Sequence, residues 1–156
     1  MIRMVLASAA ATLLLAGCAG GYDSEDHRDG QPWRITRVGS ETDYELLDAV
    51  VFRNDSAELS EHAIRVIADL AGEARQHPGS PIVVDGYTDT TGTHEHNIDL
   101  SEARAKSVAA ALMREGVNGR RIETHGFGET HLAVATANDV SERRNRRVVI
   151  RILAPV

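Results

Sequence analysis

The sequence predicts an α/β sandwich, with two helices packed on one face of a mixed sheet in the order β-α-β-α-β-β. Three observations carry this reading. Apolar residues recur at helical spacing in two stretches, 60–76 and 99–115. Short runs rich in β-branched residues lie before, between and after them. Breakers stand at the junctions, His77-Pro78-Gly79 after the first helical stretch and Gly116 after the second.

Taken in order, residues 46–52 read as the first strand. In 60–76, Ala63, Val66, Ile67, Leu70 and Ala74 fall on one helical face. Residues 81–87 form the next strand, with Ile82, Val83 and Val84 at its start. Residues 88–96 are polar and contain Gly92, the composition of a loop. The second helix, 99–115, aligns Ala105, Val108, Ala109 and Leu112. Residues 122–126 and 147–153 complete the strands, and 129–144 is mostly loop. Aromatic residues make up only 4% of the chain, so the core rests on Val, Ile, Leu and Ala.

The first residues read as a targeting segment. Arg3 is followed by an almost unbroken apolar run over 4–15, too short for a bilayer span of about 20 residues and suited to a signal-peptide core. It ends in Leu15-Ala16-Gly17-Cys18, which resembles a bacterial lipobox. That resemblance implies cleavage before Cys18, acylation of its sulfur and new amino group, and, with Ala19 next, export to the outer membrane. Cys18 is the sole cysteine of the chain, so it has no intramolecular disulfide partner. Residues 1–17 are therefore expected to be a lipoprotein signal peptide, 18–43 the lipidated Cys and a linker, and 44–156 the folded domain. Gly20-Gly21, Asp23-Ser24-Glu25-Asp26 and Asp29-Gly30 give the linker a solvated composition. Trp33, Ile35 and Val38 leave open a short strand or a docked segment there.

Charge bounds the partners. The 156 residues carry a net charge of −6, against the excess of positive charge that phosphate neutralisation requires, so no nucleic-acid partner is expected. Of 17 basic residues only Lys106 is a lysine. Arginine favours planar, bidentate recognition of carboxylates. The run Arg143, Arg144, Arg146, Arg147 and Arg151 reads first as a solvated strand edge neutralised by the acidic remainder, with binding of anionic lipid or wall polymer as the alternative.

One stretch concentrates the signals: Gly86-Tyr87-Thr88-Asp89, Gly92, Asn97, Leu100-Ser101 and Ala103-Arg104-Ala105. Gly116-Val117, Arg121-Ile122, Gly126-Phe127-Gly128-Glu129 and Asn145-Arg146-Arg147-Val148 follow. Together they resemble the OmpA-like, or Pal-like, peptidoglycan-associating domain, over roughly residues 46–153. The resemblance implies a non-catalytic module that binds diaminopimelate in the stem peptide of peptidoglycan. With the lipid anchor, it implies an outer-membrane protein that faces the periplasm and ties that membrane to the wall, with further envelope proteins as possible partners. Asp89 ends a strand and Arg104 lies in the opening turns of a helix. Their spacing alone leaves a bracing salt bridge and a zwitterion receptor both open. The resemblance favours the receptor, with Asp89 taking the ligand ammonium and Arg104 its carboxylate. By the same alignment Asp55, Asn97 and Arg146 fall at ligand-contact positions. Asn97 is equally suited to bracing the helix start, and Arg146 to a sheet-edge salt bridge.

The chain departs from the family pattern at Tyr87, where His is usual, at Asn54, where an aromatic is common, and over Leu132-Ala133-Val134-Ala135-Thr136. A rival chemistry rests on His94 and His96, which on a strand would point the same way beside Asp89 and Glu95. No third ligand or H-E-x-x-H helix accompanies them, so no metal or other cofactor is expected. Neither a nucleophile elbow nor a phosphate-binding Gly loop is present. The alternatives carried forward are a protein-interaction scaffold without wall binding and, more remotely, a metal-dependent wall hydrolase.

Overall fold

A computed structural model describes residues 24–26, 33–38, 41–47, 51–53 and 56–155. Six strands form one sheet: β1 (Ser24–Asp26), β2 (Trp33–Val38), β3 (Glu41–Leu47), β4 (Ile82–Tyr87), β5 (Ile122–Gly126) and β6 (Arg147–Ile152). Their order across the sheet is β1-β2-β3-β6-β4-β5. Only β4 and β5 run parallel; the other neighbours are antiparallel. Helix α1 (Glu61–Gln76) joins β3 to β4, and α2 (His94–Arg114) joins β4 to β5 through a 3-10 turn at Gly119–Arg121. From β3 onward the order is the expected β-α-β-α-β-β on a mixed sheet, with β1 and β2 added at one edge.

Strand alternation sorts the two faces. Tyr44, Leu46, Ile82, Val84, Val148, Ile150 and Ile152 are buried on the inner face. The helices cover them with Ala63, Ile67, Leu70, Ala71 and Ala74 from α1 and Ala105, Val108, Ala111 and Leu112 from α2. The outer face carries polar ladders. Asp85 is buried there between Arg151, which donates to Oδ2, and His125, whose Nδ1 lies 2.9 Å from Oδ1. The bond to Asp85 holds the His125 imidazolium above its ordinary pKa, against the effect of burial, and a second bond to Glu123 adds to it.

Three expectations need correction. The first core strand is Glu41–Leu47, not 46–52. Val51 and Phe52 are buried, but Phe52 makes only an isolated bridge to Leu59; an apolar run reports burial, not a ladder. Second, the described parts of the expected linker, 24–26, 33–38 and 41–43, lie in the sheet, so the strand left open at Trp33, Ile35 and Val38 is formed. Third, α2 begins at His94, five residues before the expected Asp99, because the Thr93 side chain caps it by accepting from the His96 amide.

Two glycines set how closely α2 lies on the sheet. A Cβ on Gly86 would fall onto the carbonyl of Ser101, and one on Gly126 would stand 2.5 Å from the amide nitrogen of Glu102. Both obstacles are backbone, so neither can rotate aside. Gly86→Ala is expected to destabilise the domain by about 1–3 kcal/mol, the usual cost of overpacking, in urea denaturation. Unchanged stability would show that α2 does not press on β4 there.

Candidate ligand-binding site

The site lies at the end of the sheet where β4 and β5 finish and β6 begins. The chain leaves β4 through Thr88, Asp89, Thr90 and Thr91, turns at Gly92 (φ +90°), and enters α2. Only the turn at Gly92 needs a left-handed backbone there. Two segments clamp this loop. On one side Thr88 N–H donates to Gly128 O at 2.9 Å. On the other, Asp139 N–H donates to Thr90 O at 2.9 Å, and the Thr90 hydroxyl donates to Ala137 O at 2.7 Å.

Asp89 is 2% exposed. Its Oδ1 accepts from the Thr91 hydroxyl at 2.5 Å and the Thr91 amide at 3.2 Å. Its Oδ2 accepts from Arg146 Nη1 at 2.5 Å and the Glu142 amide at 3.2 Å. Burial alone pushes this carboxyl up, but the Thr91 and Arg146 bonds outweigh it and hold Asp89 below its ordinary value. Arg146 Nη1 also donates to Ser141 Oγ at 2.9 Å, and its side chain remains 27% exposed.

Arg104 is also 2% exposed. Its Nε donates to Ser56 O at 3.1 Å, and its guanidinium lies 5.0 Å from the centre of the Phe52 ring. It therefore tethers α2 to the segment after β3. Within the described residues no ion pair joins Asp89 to Arg104; the guanidinium closing on Asp89 is that of Arg146. Asn97, 3% exposed, donates from Nδ2 to the backbone oxygen of Asp89 at 3.4 Å, so its contact supports the loop. The expectations for Asp55 and Cys18 lie outside the described residues.

The remaining arginines of the basic run have separate partners. Arg144 pairs with Glu142 at 3.1 Å, and Arg151 with Asp85. The guanidinium of Arg147 sits 3.9 Å over the Tyr87 ring, which stacks on Phe127 at 5.3 Å. Arg143 is exposed. The metal alternative loses its geometric premise. His94 and His96 lie in the first turn of a helix, where i and i+2 point to opposite sides, and His94 Nδ1 is 2.8 Å from Glu129. Among the described residues no cluster of three or more His, Cys, Asp or Glu is arranged to hold a metal. The hydroxyls of Thr90 and Thr91 bond to the chain itself, and among the described residues neither meets a histidine.

Several residues of the site went unassigned in the sequence. Asn145, fully buried, accepts from Val134 N–H at 2.8 Å and donates to Val134 O at 2.9 Å, imitating a strand partner for the preceding loop. Ser101 Oγ receives the Gly128 amide at 2.9 Å. Thr91 had a local signal, since an Asp two residues before an amide favours this turn. Asn145 had only its place in the Asn-Arg-Arg motif.

With this geometry in place, the comparisons with known proteins converge. The chain belongs to the OmpA family, whose model matches residues 51–146. It is 33% identical over 127 residues to the probable lipoprotein YiaD of Escherichia coli, covering 81% of this chain and 58% of YiaD. It is 32% identical over 116 residues to the peptidoglycan-associated lipoprotein of Pseudomonas aeruginosa, covering 72% of this chain and 68% of that protein. Its fold matches the crystal structure of the periplasmic domain of Helicobacter pylori MotB with a TM-score of 0.72 at 21% identity, over 85% of this chain and 88% of that one.

The lowered Asp89 carboxyl fixes the sign of a pH effect. Its ionised form contributes stability above the ordinary value of 3.8, and this is lost as pH falls through the lower folded value. Asp89→Asn is therefore expected to be less stable than the wild type at neutral pH, with the gap closing in acid. Thermal melts across that range check it; a gap independent of pH would show that the charge of Asp89 contributes nothing.

Proposed function

We propose that this chain is a non-catalytic binder of peptidoglycan that recognises diaminopimelate in the stem peptide and is held in the outer membrane by acyl chains on Cys18, with its domain in the periplasm. The observation that carries the reading is the burial of two charged side chains, Asp89 and Arg104, with the part-exposed Arg146 closing on Asp89, around one end of the sheet. A carboxylate and guanidiniums set in a dry, hydrogen-bonded frame match a ligand bearing an ammonium and a carboxylate on one carbon. Relatives named as peptidoglycan-associated lipoproteins and as a peptidoglycan-binding protein support it, and the lipobox-like Leu15-Ala16-Gly17-Cys18 supports the anchor.

Asp89 already accepts four hydrogen bonds from its own chain. An incoming ammonium must therefore share or replace one of them. Arg146 is the partner placed to yield, being part-exposed and at the end of a flexible side chain. Turned outward, its guanidinium meets the ligand carboxylate while the ammonium takes its place on Asp89. Arg104 supplies the second, fixed guanidinium.

Calorimetric titration of the lipidated protein in detergent with a soluble muropeptide tests the site. Asp89→Ala and Arg104→Ala are each expected to weaken binding by about 2–5 kcal/mol, since each leaves a ligand charge desolvated and unpaired. Arg104→Lys should rescue poorly, because an ammonium lacks the planar fork. Wild-type affinity in both alanine variants would overturn the site. The saturated carboxylate of Asp89 favours one second reading, a purely architectural brace on a scaffold. That reading predicts no titratable binding by the wild type and a sharply lowered melt in Asp89→Ala.

The anchor has its own test. In Cys18→Ser a hydroxyl replaces the thiolate that takes the lipid, so an unacylated, uncleaved precursor is expected by mass spectrometry of the membrane fraction. Normal processing of that variant would remove the anchor.

A further inference from the structure

We propose that the end of the domain opposite the Asp89 site rests on an anionic phospholipid surface, through Arg75, Arg114, Arg120, Arg121 and the exposed Met113. The proposal rests on the lipid-anchor reading for its orientation, and goes beyond it by assigning a second contact face.

The strand registers place the pieces. Ser24 pairs with Arg37, Arg37 with Thr42, Thr42 with Ile152, Ile152 with Ile82, and Ile82 with Ile122. This single row crosses the whole sheet at the end away from the site. It contains the first residue of β1, where the described chain enters, and it directly follows Arg121. The parallel row at the other end, Leu47, Arg147 and Tyr87, borders Asp89. Six residue steps separate Cys18 from Ser24, a reach of at most ~21 Å even fully extended. An acyl chain on Cys18 therefore keeps Ser24 within that reach of the membrane, and the charge of the Ser24 end argues for that end as the one that faces it.

The chemistry of that end fits a lipid headgroup layer. In a chain of net charge −6, residues 74–81 and 112–122 hold Arg75, Arg114, Arg120 and Arg121 against Glu115 alone. Arg75 donates to the backbone oxygen of Glu115 and Arg121 to that of Ala74, offsetting the partial negative charge of both helix ends. Arg114 and Arg120 are exposed, and their side chains make no hydrogen bond or ion pair among the described residues. Glu73 and Glu123, which border this end, face His77 at 3.9 Å and His125 at 3.0 Å. Met113, 47% exposed, directly precedes Arg114 and lays its sulfur against Gly119, next to Arg120 in the chain. An exposed apolar side chain on the same segment as guanidiniums on long apolar stems suits the boundary between headgroups and acyl chains. The patch is too small to bind a vesicle strongly from solution. Joined to an acyl anchor, it meets the surface at high effective concentration, and anionic lipid attracts each arginine within a Debye length.

The test uses the lipidated protein in nanodiscs of phosphatidylcholine, with and without phosphatidylglycerol. Amide hydrogen exchange over residues 113–122 is compared, and mass spectrometry reports acylation of Cys18. Several-fold slower exchange is expected in discs containing phosphatidylglycerol. High salt and the double variant Arg114→Gln/Arg120→Gln should each return it to the phosphatidylcholine rate. Because both arginines are exposed, that variant should keep the wild-type melt and muropeptide affinity. Equal exchange in both disc types with Cys18 acylated overturns the docking and leaves the anchor intact. Slowing that persists in the double variant overturns the assignment to these arginines. An unacylated Cys18 overturns the anchor and the orientation with it.

Discussion

The close approach of α2 to β4 and β5 is the constraint on which the rest of this end of the molecule depends. Gly86 and Gly126 let the helix backbone at Ser101 and Glu102 lie against the sheet with no side chain between. That contact sets the height of the helix over the strands. One turn above it, Asn97 holds the backbone of Asp89; one turn below, Arg104 reaches Ser56. Ser101 itself receives the Gly128 amide, so the turn after β5 is referenced to the same point. A larger residue at either glycine would press on the helix backbone to which all three are referenced.

Within that frame the charged groups are placed by pairing each to the chain before any ligand arrives. A buried carboxylate without partners would be driven toward its neutral form. Asp89 is kept ionised by Thr91, Glu142 and Arg146, drawn from two loops far apart in sequence. Arg146, just before the last strand, and Arg147 and Arg151, on that strand's outer face, take different partners. Arg146 turns to Asp89, while Arg147 lies over Tyr87 and Arg151 on Asp85. Tyr87, a departure from the family pattern, thus stands on the outer face as the platform for Arg147.

How far the sequence could be read follows from what leaves a periodic trace. The two helices were legible because Ile67, Leu70, Val108 and Leu112 recur at helical spacing, and β4 because Ile82 and Val84 sit among β-branched neighbours. The misplaced first strand shows the limit. Val51 and Phe52 are as buried as strand residues, yet they close the core beyond the end of β3. Tyr44 and Leu46, alternating with Asp43 and Glu45, were the better strand signal. At the candidate site, Asp89 and Arg104 stand out in the sequence because they flank one loop and match a motif. The partnership of Asp89 with Arg146 does not, since it spans 57 positions and depends on a loop without regular structure. Asn145 was quoted within a motif but had no role assigned, because a side chain that imitates a strand partner for a loop has no period to reveal it.

The sheet also explains how one small domain separates two surfaces. Every segment that builds the Asp89 end is a connection at one end of the strands: 88–93, 127–146 and the stretch after β3. The other end holds the C-terminal ends of both helices, the β2–β3 hairpin, the entry to β1 and the segment leaving β6. Between them lie ladders whose backbone groups are paired to one another and whose inner face is closed by aliphatic side chains. The variant loop Leu132-Ala133-Val134-Ala135-Thr136 lies at the rim of one end and is held there by Asn145 through both backbone groups of Val134. Charge at the helix ends can vary independently, because it is anchored to carbonyls that every helix terminus exposes. Strand length then sets the distance between the two surfaces, and six-residue strands at about 3.3 Å per residue keep them roughly 20 Å apart.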